Sequence, residues 1–265
     1  KSCVLLAGLR AEGKTVVHEP ARSRDHTERM LGSMGVEVEV TETSVALRGG
    51  QALQPKAFKV PGDFSSAAFP IAAALLVPGS EVEIEDVGLN PTRTGLLEAL
   101  DAMGADVQVT LDDSFFGREP SGRILARGTR QLTAIHASGE LVVRAIDELP
   151  ALFALAAFAK GRSTFRDAQE LRKKESDRIG AMARGLRALG VVCEELSDGI
   201  AIEGDPDRVL VASGPLDGSN DHRIVMALAC AALRAGGAVK IDGSSAITKS
   251  YPGFFADLER LGGRK

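Results

Sequence analysis

The strongest constraint in this chain is an internal repeat. Four stretches share one order: an Ala/Leu-rich segment, a glycine, a short β-rich segment, and a helix-like segment closing on a Leu/Met-Gly pair. The first has residues 3–9, Gly13, residues 15–18 and Met34-Gly35. The second has residues 65–77, Gly79, residues 81–84 and Met103-Gly104. The third has residues 149–159, Gly161, residues 163–166 and Leu189-Gly190, and the last has residues 224–233, Gly237, residues 238–241 and Leu261-Gly262. From Gly35 to Gly104, Gly190 and Gly262 the steps are 69, 86 and 72 residues, too long for a solenoid. Each closing glycine fits a helix C-cap, where positive φ ends the helix. Residues 36–40, 106–109, 191–195 and 199–202 read as strands. Ile179, Met182, Leu186 and Leu189 give the third unit's second helix one apolar face. The unit therefore reads helix, strand, helix, strand, strand, and the fold class is α/β.

Charge and composition exclude several function classes. Among 265 residues, Lys+Arg number 32 against Asp+Glu 36, a net charge of −4, which argues against coating a nucleic acid backbone. With 10 Phe, 1 Tyr and no Trp, a base-stacking platform is not expected either. The apolar runs at 67–78 and 149–159 fall short of the roughly 18 to 20 residues that a membrane span needs. No secretory signal pattern opens the chain. Cys3, Cys193 and Cys230 are far apart without metal-ligand spacing and are expected to be free thiols of a reducing cytoplasm. Lys1-Ser2-Cys3-Val4 already lies in a helix-like run, so this end is expected to be a cut one.

The residues able to carry chemistry cluster at expected helix starts. Lys173-Lys174-Glu175-Ser176-Asp177-Arg178 is expected to open the third unit's second helix, with Lys174, Glu175 and Arg178 on one side of its first turn. Cations there oppose the helix dipole, a mismatch that a bound anion relieves, but spacing alone favours a solvated charged turn with i,i+4 pairs. Asn220-Asp221-His222-Arg223 precedes an apolar helix, with Asn220 or Asp221 as cap and His222 and Arg223 in the first turn. Asp147, in Ile146-Asp147-Glu148-Leu149-Pro150, reads as a cap, or as a general base if a hydroxyl is held beside it. Lys249 lies in a turn before the last helix. Ser23-Arg24-Asp25-His26-Thr27-Glu28 opens the first unit's second helix, with Ser23 or Asp25 as cap and Arg24 as a candidate anion ligand. Asp63-Phe64-Ser65-Ser66 reads as an ordinary N-cap. No Walker A loop, dinucleotide fingerprint, zincin motif or nucleophile elbow is present. If the helix starts converge, they form a site for a ligand carrying phosphate and carboxylate groups.

These motifs together resemble the 5-enolpyruvylshikimate-3-phosphate synthase family over the whole chain. Its carriers are Lys1-Ser2 with the run behind it, Ser23-Arg24-Asp25-His26-Thr27-Glu28, Gly62-Asp63-Phe64-Ser65-Ser66, Lys174-Glu175-Ser176-Asp177-Arg178, Asn220-Asp221-His222-Arg223 and Lys249-Ser250-Tyr251-Pro252. The sister enzyme acting on UDP-N-acetylglucosamine has a similar repeat but different motifs. The resemblance implies the inside-out α/β barrel of enolpyruvyl transferases, two domains each of three βαβαββ units. Four of the six would be present: residues 1–62 as the last unit of one domain, and residues 63–265 as the other domain. The implied reaction moves the enolpyruvyl group of phosphoenolpyruvate onto the 5-hydroxyl of shikimate 3-phosphate and releases phosphate, in the shikimate pathway to aromatic amino acids. No metal or organic cofactor is implied. By the resemblance, Asp147 is the base and holds shikimate 3-phosphate, and Glu175 handles the proton of the phosphoenolpyruvate methylene. Lys174 and Arg24 contact shikimate 3-phosphate, Arg24 on its phosphate. Arg178 and Arg223 bind phosphoenolpyruvate, Lys249 lies near the leaving phosphate, and His222 sits beside the site. The family's N-terminal Lys-Ser…Arg motif, its Gly-Asn-Ala-Gly-Thr loop and the Ser-Ala-Gln near Lys1 are absent. The expected partner is therefore an N-terminal fragment of the same enzyme, with the two small-molecule substrates, and with neither nucleic acid nor membrane.

Overall fold

Three of the four repeats fold in the order that their sequence pattern requires. The computed structural model describes residues 1–20, 22–112 and 119–262. The first unit runs α1 (Ser2–Gly8), β1 (Lys14–His18), α2 (His26–Ser33), β2 (Val38–Val40) and β3 (Ser44–Arg48). The second runs α3 (Phe64–Leu76), β4 (Glu81–Gly88), α4 (Gly95–Ala102), β5 (Asp106–Leu111) and β6 (Ser121–Arg127). After β7 (His136–Ala137) and α5 (Glu140–Arg144), the third runs α6 (Leu149–Ala156), β8 (Gly161–Phe165), α7 (Arg178–Ala188), β9 (Cys193–Leu196) and β10 (Gly199–Gly204). The chain closes with β11 (Leu216–Asp217), α8 (His222–Ala232), β12 (Ile241–Asp242) and α9 (Phe254–Arg260).

The sheets repeat as the sequence does. Their antiparallel orders are β1-β3-β2, β4-β6-β5 and β8-β10-β9, so each unit's last strand lies between its other two. Registers such as Val16↔Ala46, Ile84↔Ile124 and Ala201↔Thr164 hold the central strand in place. A segment upstream of each later unit's first helix runs parallel to the strand after that helix: Gly62 beside Val87, β7 beside β8, and β11 beside β12. This supplies the leading strand of a βαβαββ unit. Among the described residues β1 has no such neighbour on its outer edge.

All four closing glycines take positive φ: Gly35 at 88°, Gly104 at 72°, Gly190 at 85° and Gly262 at 94°. The last unit departs from expectation. Its strand, expected at 238–241, is only Ile241–Asp242, and Gly237 is not among the positive-φ glycines. Among the described residues β12 pairs only with β11 and has no antiparallel neighbour, so nothing demands the tight turn seen at Gly79 and Gly161.

The first helices of the last three units form the core. α3, α6 and α8 are buried along nearly their whole length and touch one another pairwise. Their many alanines let the axes approach closely, and α7 seats Gly185 directly against Leu228 of α8. A separate, smaller cluster of Leu5, Leu9, Leu31, Val36, Val45 and Leu47 holds the first unit. α1 occupies the place that α3, α6 and α8 hold in their own units, yet Val4 and Leu6 on it are nearly half exposed.

Two local expectations are corrected. Residues 169–173 form a 3-10 turn, Lys174 is extended, and α7 begins only at Arg178. Lys174 and Glu175 therefore lie before the helix rather than in its first turn. The reason is Asp177, whose side chain accepts from the Gly180 N–H and caps α7 there. At α2, Asp25 holds the cap position but makes no cap bond, because its carboxylate is engaged by Arg29 and Asn90. Ser23 bonds Glu19 instead.

Candidate active site

The N-terminal ends of α3, α6 and α8 meet. Asp63 caps α3 through the Ser66 N–H at 3.0 Å, as read from sequence, and Asp221 caps α8 through the Arg223 N–H at 3.0 Å. Ser65 in the first turn of α3 donates to Glu148 at the start of α6. Arg223 Nη1 of α8 donates to the Asp147 carbonyl at 2.8 Å. Three helix dipoles thus aim their positive ends at one place.

Asp147 is the hub of that place. The sequence leaves it as cap or base, but its carboxylate caps nothing. It faces Arg24 Nη2 at 2.5 Å, Arg178 Nη1 at 3.6 Å, and Lys174 Nζ and Arg223 Nη2 at 3.8 Å each. Burial works to raise its pKa, but Arg223, Arg24 and Lys174 outweigh burial and bring it down to about 2. Four expected site residues from three motifs of the sequence thus converge on one carboxylate. They do not come from equivalent positions of the units, as the helix-start argument supposes. Asp147 precedes a first helix and Arg223 lies in the first turn of another, whereas Arg24 and Lys174 precede second helices and Arg178 opens one.

Arg178 is the most enclosed of these cations, with only 1 % of its side chain exposed. Its Nε reaches Asp221 Oδ2 at 2.8 Å and its Nη2 reaches Glu175 Oε2 at 2.5 Å. Asp221 is fully buried and also accepts from Ser176 Oγ at 3.0 Å. Burial raises the Asp221 pKa, but Arg178 and the α8 backbone reverse this and hold it low. Arg178 Nη1 is buried without a hydrogen-bond partner among the described residues, and so is His222 Nδ1. Buried polar atoms of that kind call for a ligand or water. Burial, with Arg223 nearby, lowers the His222 pKa, so the ring is neutral at pH 7. Glu175 is about half exposed and joins the cluster through Arg178. Lys249 ends a 3-10 turn over Ser244–Lys249, is exposed, and reaches the Asn220 carbonyl at 3.4 Å. It meets the site through the loop before α8 rather than through Asp147. Lys174 also pairs with Glu170 at 2.8 Å.

Sequence reasoning missed Glu148, Ser65 and Arg93. Glu148 is 2 % exposed, and burial pushes its pKa up although Ser65, Arg223 and Arg93 oppose this. Arg93 Nη2 donates to Ser65 Oγ at 2.7 Å and to Asp63 Oδ1 at 3.2 Å. Adjacency to Asp147 was the available signal for Glu148. Nothing in the spacing marks Arg93. Among the described residues no group of three or more His, Cys, Asp or Glu side chains is arranged to hold a metal ion.

A cluster of four cations on one carboxylate, built where three helix N-termini meet in βαβαββ repeats, is a specific arrangement, and known proteins share its framework. Residues 1–258 match the family model described as EPSP synthase (3-phosphoshikimate 1-carboxyvinyltransferase). The chain belongs to the EPSP synthase family. It is 47% identical over 264 residues to 3-phosphoshikimate 1-carboxyvinyltransferase from Geobacter metallireducens, covering 100% of this chain and 60% of that protein. Its identity to the Synechococcus sp. (strain JA-3-3Ab) protein of the same name is 48% over 263 residues, covering 98% of this chain and 58% of that one. Among solved structures, EPSP synthase from Acinetobacter baumannii superposes with a TM-score of 0.88 at 43% identity, over 97% of this chain and 58% of that one. The enolpyruvyl transferase NikO from Streptomyces tendae superposes with a TM-score of 0.75 at 21% identity, over 98% and 58%. That likeness speaks for the enolpyruvyl transferase fold alone. The chain therefore spans about three fifths of the length of these relatives. No helix among the described residues is long and apolar enough to cross a membrane.

Proposed function

We propose that this chain supplies the larger part of an enzyme that transfers the enolpyruvyl group of phosphoenolpyruvate to the 5-hydroxyl of shikimate 3-phosphate and releases phosphate. The observation that carries this reading is Asp147 under its four cations. Arg24 and Lys174 take shikimate 3-phosphate, Arg24 on the phosphate, and Arg178 and Arg223 take the phosphate and carboxylate of phosphoenolpyruvate. Planar guanidinium forks suit both groups. In this state Asp147 is a poor base, because its partners hold its proton affinity down. Substrate anions that draw those cations away return basicity to Asp147 just where the attacking hydroxyl arrives.

The proton balance closes within the site. Protonation of the phosphoenolpyruvate methylene makes its neighbouring carbon electrophilic, the hydroxyl oxygen attacks there, and Asp147 takes the hydroxyl proton. Phosphate then leaves the tetrahedral intermediate, taking up the proton that Asp147 holds, and the methyl group gives a proton back to Glu175, which restores the double bond. Glu175, beside Arg178, handles the methylene proton, Lys249 lies near the leaving phosphate, and neutral His222 lines the site without adding charge. Carboxylates close to a cationic centre stabilise it. No metal or organic cofactor takes part in this scheme.

Residues 1–62 act as the last unit of one domain and residues 63–265 as the other. The partner is an N-terminal segment of the same enzyme, seated against the exposed face of α1. The protein works in the cytoplasm, a reading supported by the three free cysteines. The test is phosphate release from the two substrates, with the chain alone and with that segment supplied. Release only in the second case supports both the reaction and the partner. Phosphate binding without turnover in either case makes the chain a non-catalytic anion-binding fragment. Val4→Glu with Leu6→Glu should abolish reconstitution while leaving phosphate binding by the chain in place.

A further inference from the structure

A buried polar knot lies where α2 of the first unit meets the loop between β4 and α4. Its centre is Asn90, 2 % exposed. The Asn90 Oδ1 accepts from the Thr92 N–H at 2.9 Å and from Thr92 Oγ1 at 2.7 Å, which fixes its rotamer. Its amide nitrogen donates one proton to Asp25 Oδ1 at 2.7 Å and the other to Glu119 Oε1 at 2.8 Å. Every donor and acceptor that an asparagine side chain owns is thereby used. Glu119 Oε1 also receives His26 Nδ1 at 2.7 Å, and Asp25 receives Arg29 Nε at 2.8 Å and Arg22 Nη2 at 3.3 Å. With both amide protons committed, the 3.3 Å approach of Asn90 Nδ2 to His26 Nδ1 is a neighbour contact.

The knot grips Asp25 and His26, the two residues that follow Arg24. The Arg24 side chain is 47 % exposed, so packing does little to hold it, yet its guanidinium meets Asp147 at 2.5 Å across 123 residues of sequence. A half-exposed arginine loses much rotamer freedom in such a contact, and exposed pairs are weak unless their base is fixed. The sequence also gives up a cap here. Asp25 stands at the N-cap of α2 and spends its carboxylate on Asn90 and Arg29 instead.

We propose that Asn90 is a positioning residue that sets Arg24 against Asp147 by anchoring Asp25 and His26. The geometric part stands on this chain alone; its consequence for shikimate 3-phosphate rests on the function proposed above.

The test is a mutant cycle on the 265-residue chain, read by urea unfolding. Arg24→Ala, Asp147→Asn and the double variant give the non-additive factor in the unfolding constant, expected at about five-fold. Repeated in an Asn90→Ala background, that factor should fall to within two-fold of unity. A factor that survives Asn90→Ala overturns the proposal and makes Asn90 a core residue only. If Asn90→Ala does not fold, Glu119→Ala removes one arm of the knot, and the same cycle should shrink; an unchanged cycle overturns the proposal equally. The second readout is shikimate 3-phosphate affinity of the chain completed with the N-terminal segment. Asn90→Ala should weaken it about ten-fold with Arg24 present and not further in Arg24→Ala. If the cycle collapses but Arg24→Ala leaves that affinity unchanged, the positioning stands and the phosphate role of Arg24 falls.

Discussion

Asp147→Asn separates charge from shape at the centre of the site. Asparagine keeps the size of the side chain and removes the charge that Arg24, Lys174, Arg178 and Arg223 share. The carboxylate has an ordinary pKa of 3.8 and is held at about 2 here. That drop corresponds to about 2 kcal/mol of folding stability at neutral pH. Because the folded pKa is the lower one, the contribution is complete above about pH 5 and is lost as pH falls through 4 towards 2. Asp147→Asn should therefore cost about 2 kcal/mol by urea denaturation at pH 7 and only about 1 kcal/mol at pH 3. Inorganic phosphate should recover much of the loss at pH 7, since the substitution takes from Arg24 and Arg223 the carboxylate they face, while Lys174 keeps Glu170 and Arg178 keeps Asp221 and Glu175. In the completed enzyme turnover should fall by about a hundred-fold or more, the usual loss for a general base. Equal destabilisation at both pH values would refute the reasoning, because it would assign the effect to packing. No destabilisation at pH 7 would refute it from the other side.

Other outcomes follow from the same geometry. Arg223→Ala should weaken phosphoenolpyruvate affinity or turnover far more than it lowers the melting temperature; equal losses would make Arg223 a tether for the Asp147 carbonyl and little else. The His222 ring should titrate by NMR with a midpoint below 6.5. Since its folded pKa is the lower one, it should subtract stability as pH falls below 6.5, and a midpoint above that value would contradict the burial argument. Gly104→Ala meets no atom within 4 Å but sits at φ 72°, so it should cost only the left-handed strain of about 1 kcal/mol. Gly199→Ala would place its Cβ 1.8 Å from the Phe165 carbonyl oxygen and should cost several-fold more in a melting series.

The repeat was legible because its signals are local. A glycine after an amphipathic helix needs no partner to be understood, and Gly35, Gly104, Gly190 and Gly262 all adopt the conformation that the pattern asks for. The helix-start motifs were only half legible. Asp221 caps α8 and Asp63 caps α3 as their positions suggest. Asp177 takes the cap of α7 and leaves Lys174 extended, a choice between neighbouring acids that spacing does not make. Asp147 looks like a cap in sequence and is none, because its partners arrive from residues 24, 174, 178 and 223. Glu148, Arg93 and Asn90 gain their meaning only from long-range contacts, and no periodicity carries that.

Among the described residues no strand lies on the outer edge of β1, and that edge sets a direction for any segment added there. In the later units a parallel segment covers that edge and then leads into the unit's first helix. On the function proposed above, residues Lys14–His18 are the acceptor for strand donation, taking one extended segment that runs with β1 and continues over α1. Among the described residues the outer edge of β1 leaves backbone donors and acceptors unpaired next to apolar Val4 and Leu6. That combination promotes self-association, so aggregation of the isolated chain should ease when a donor segment of the right polarity is supplied.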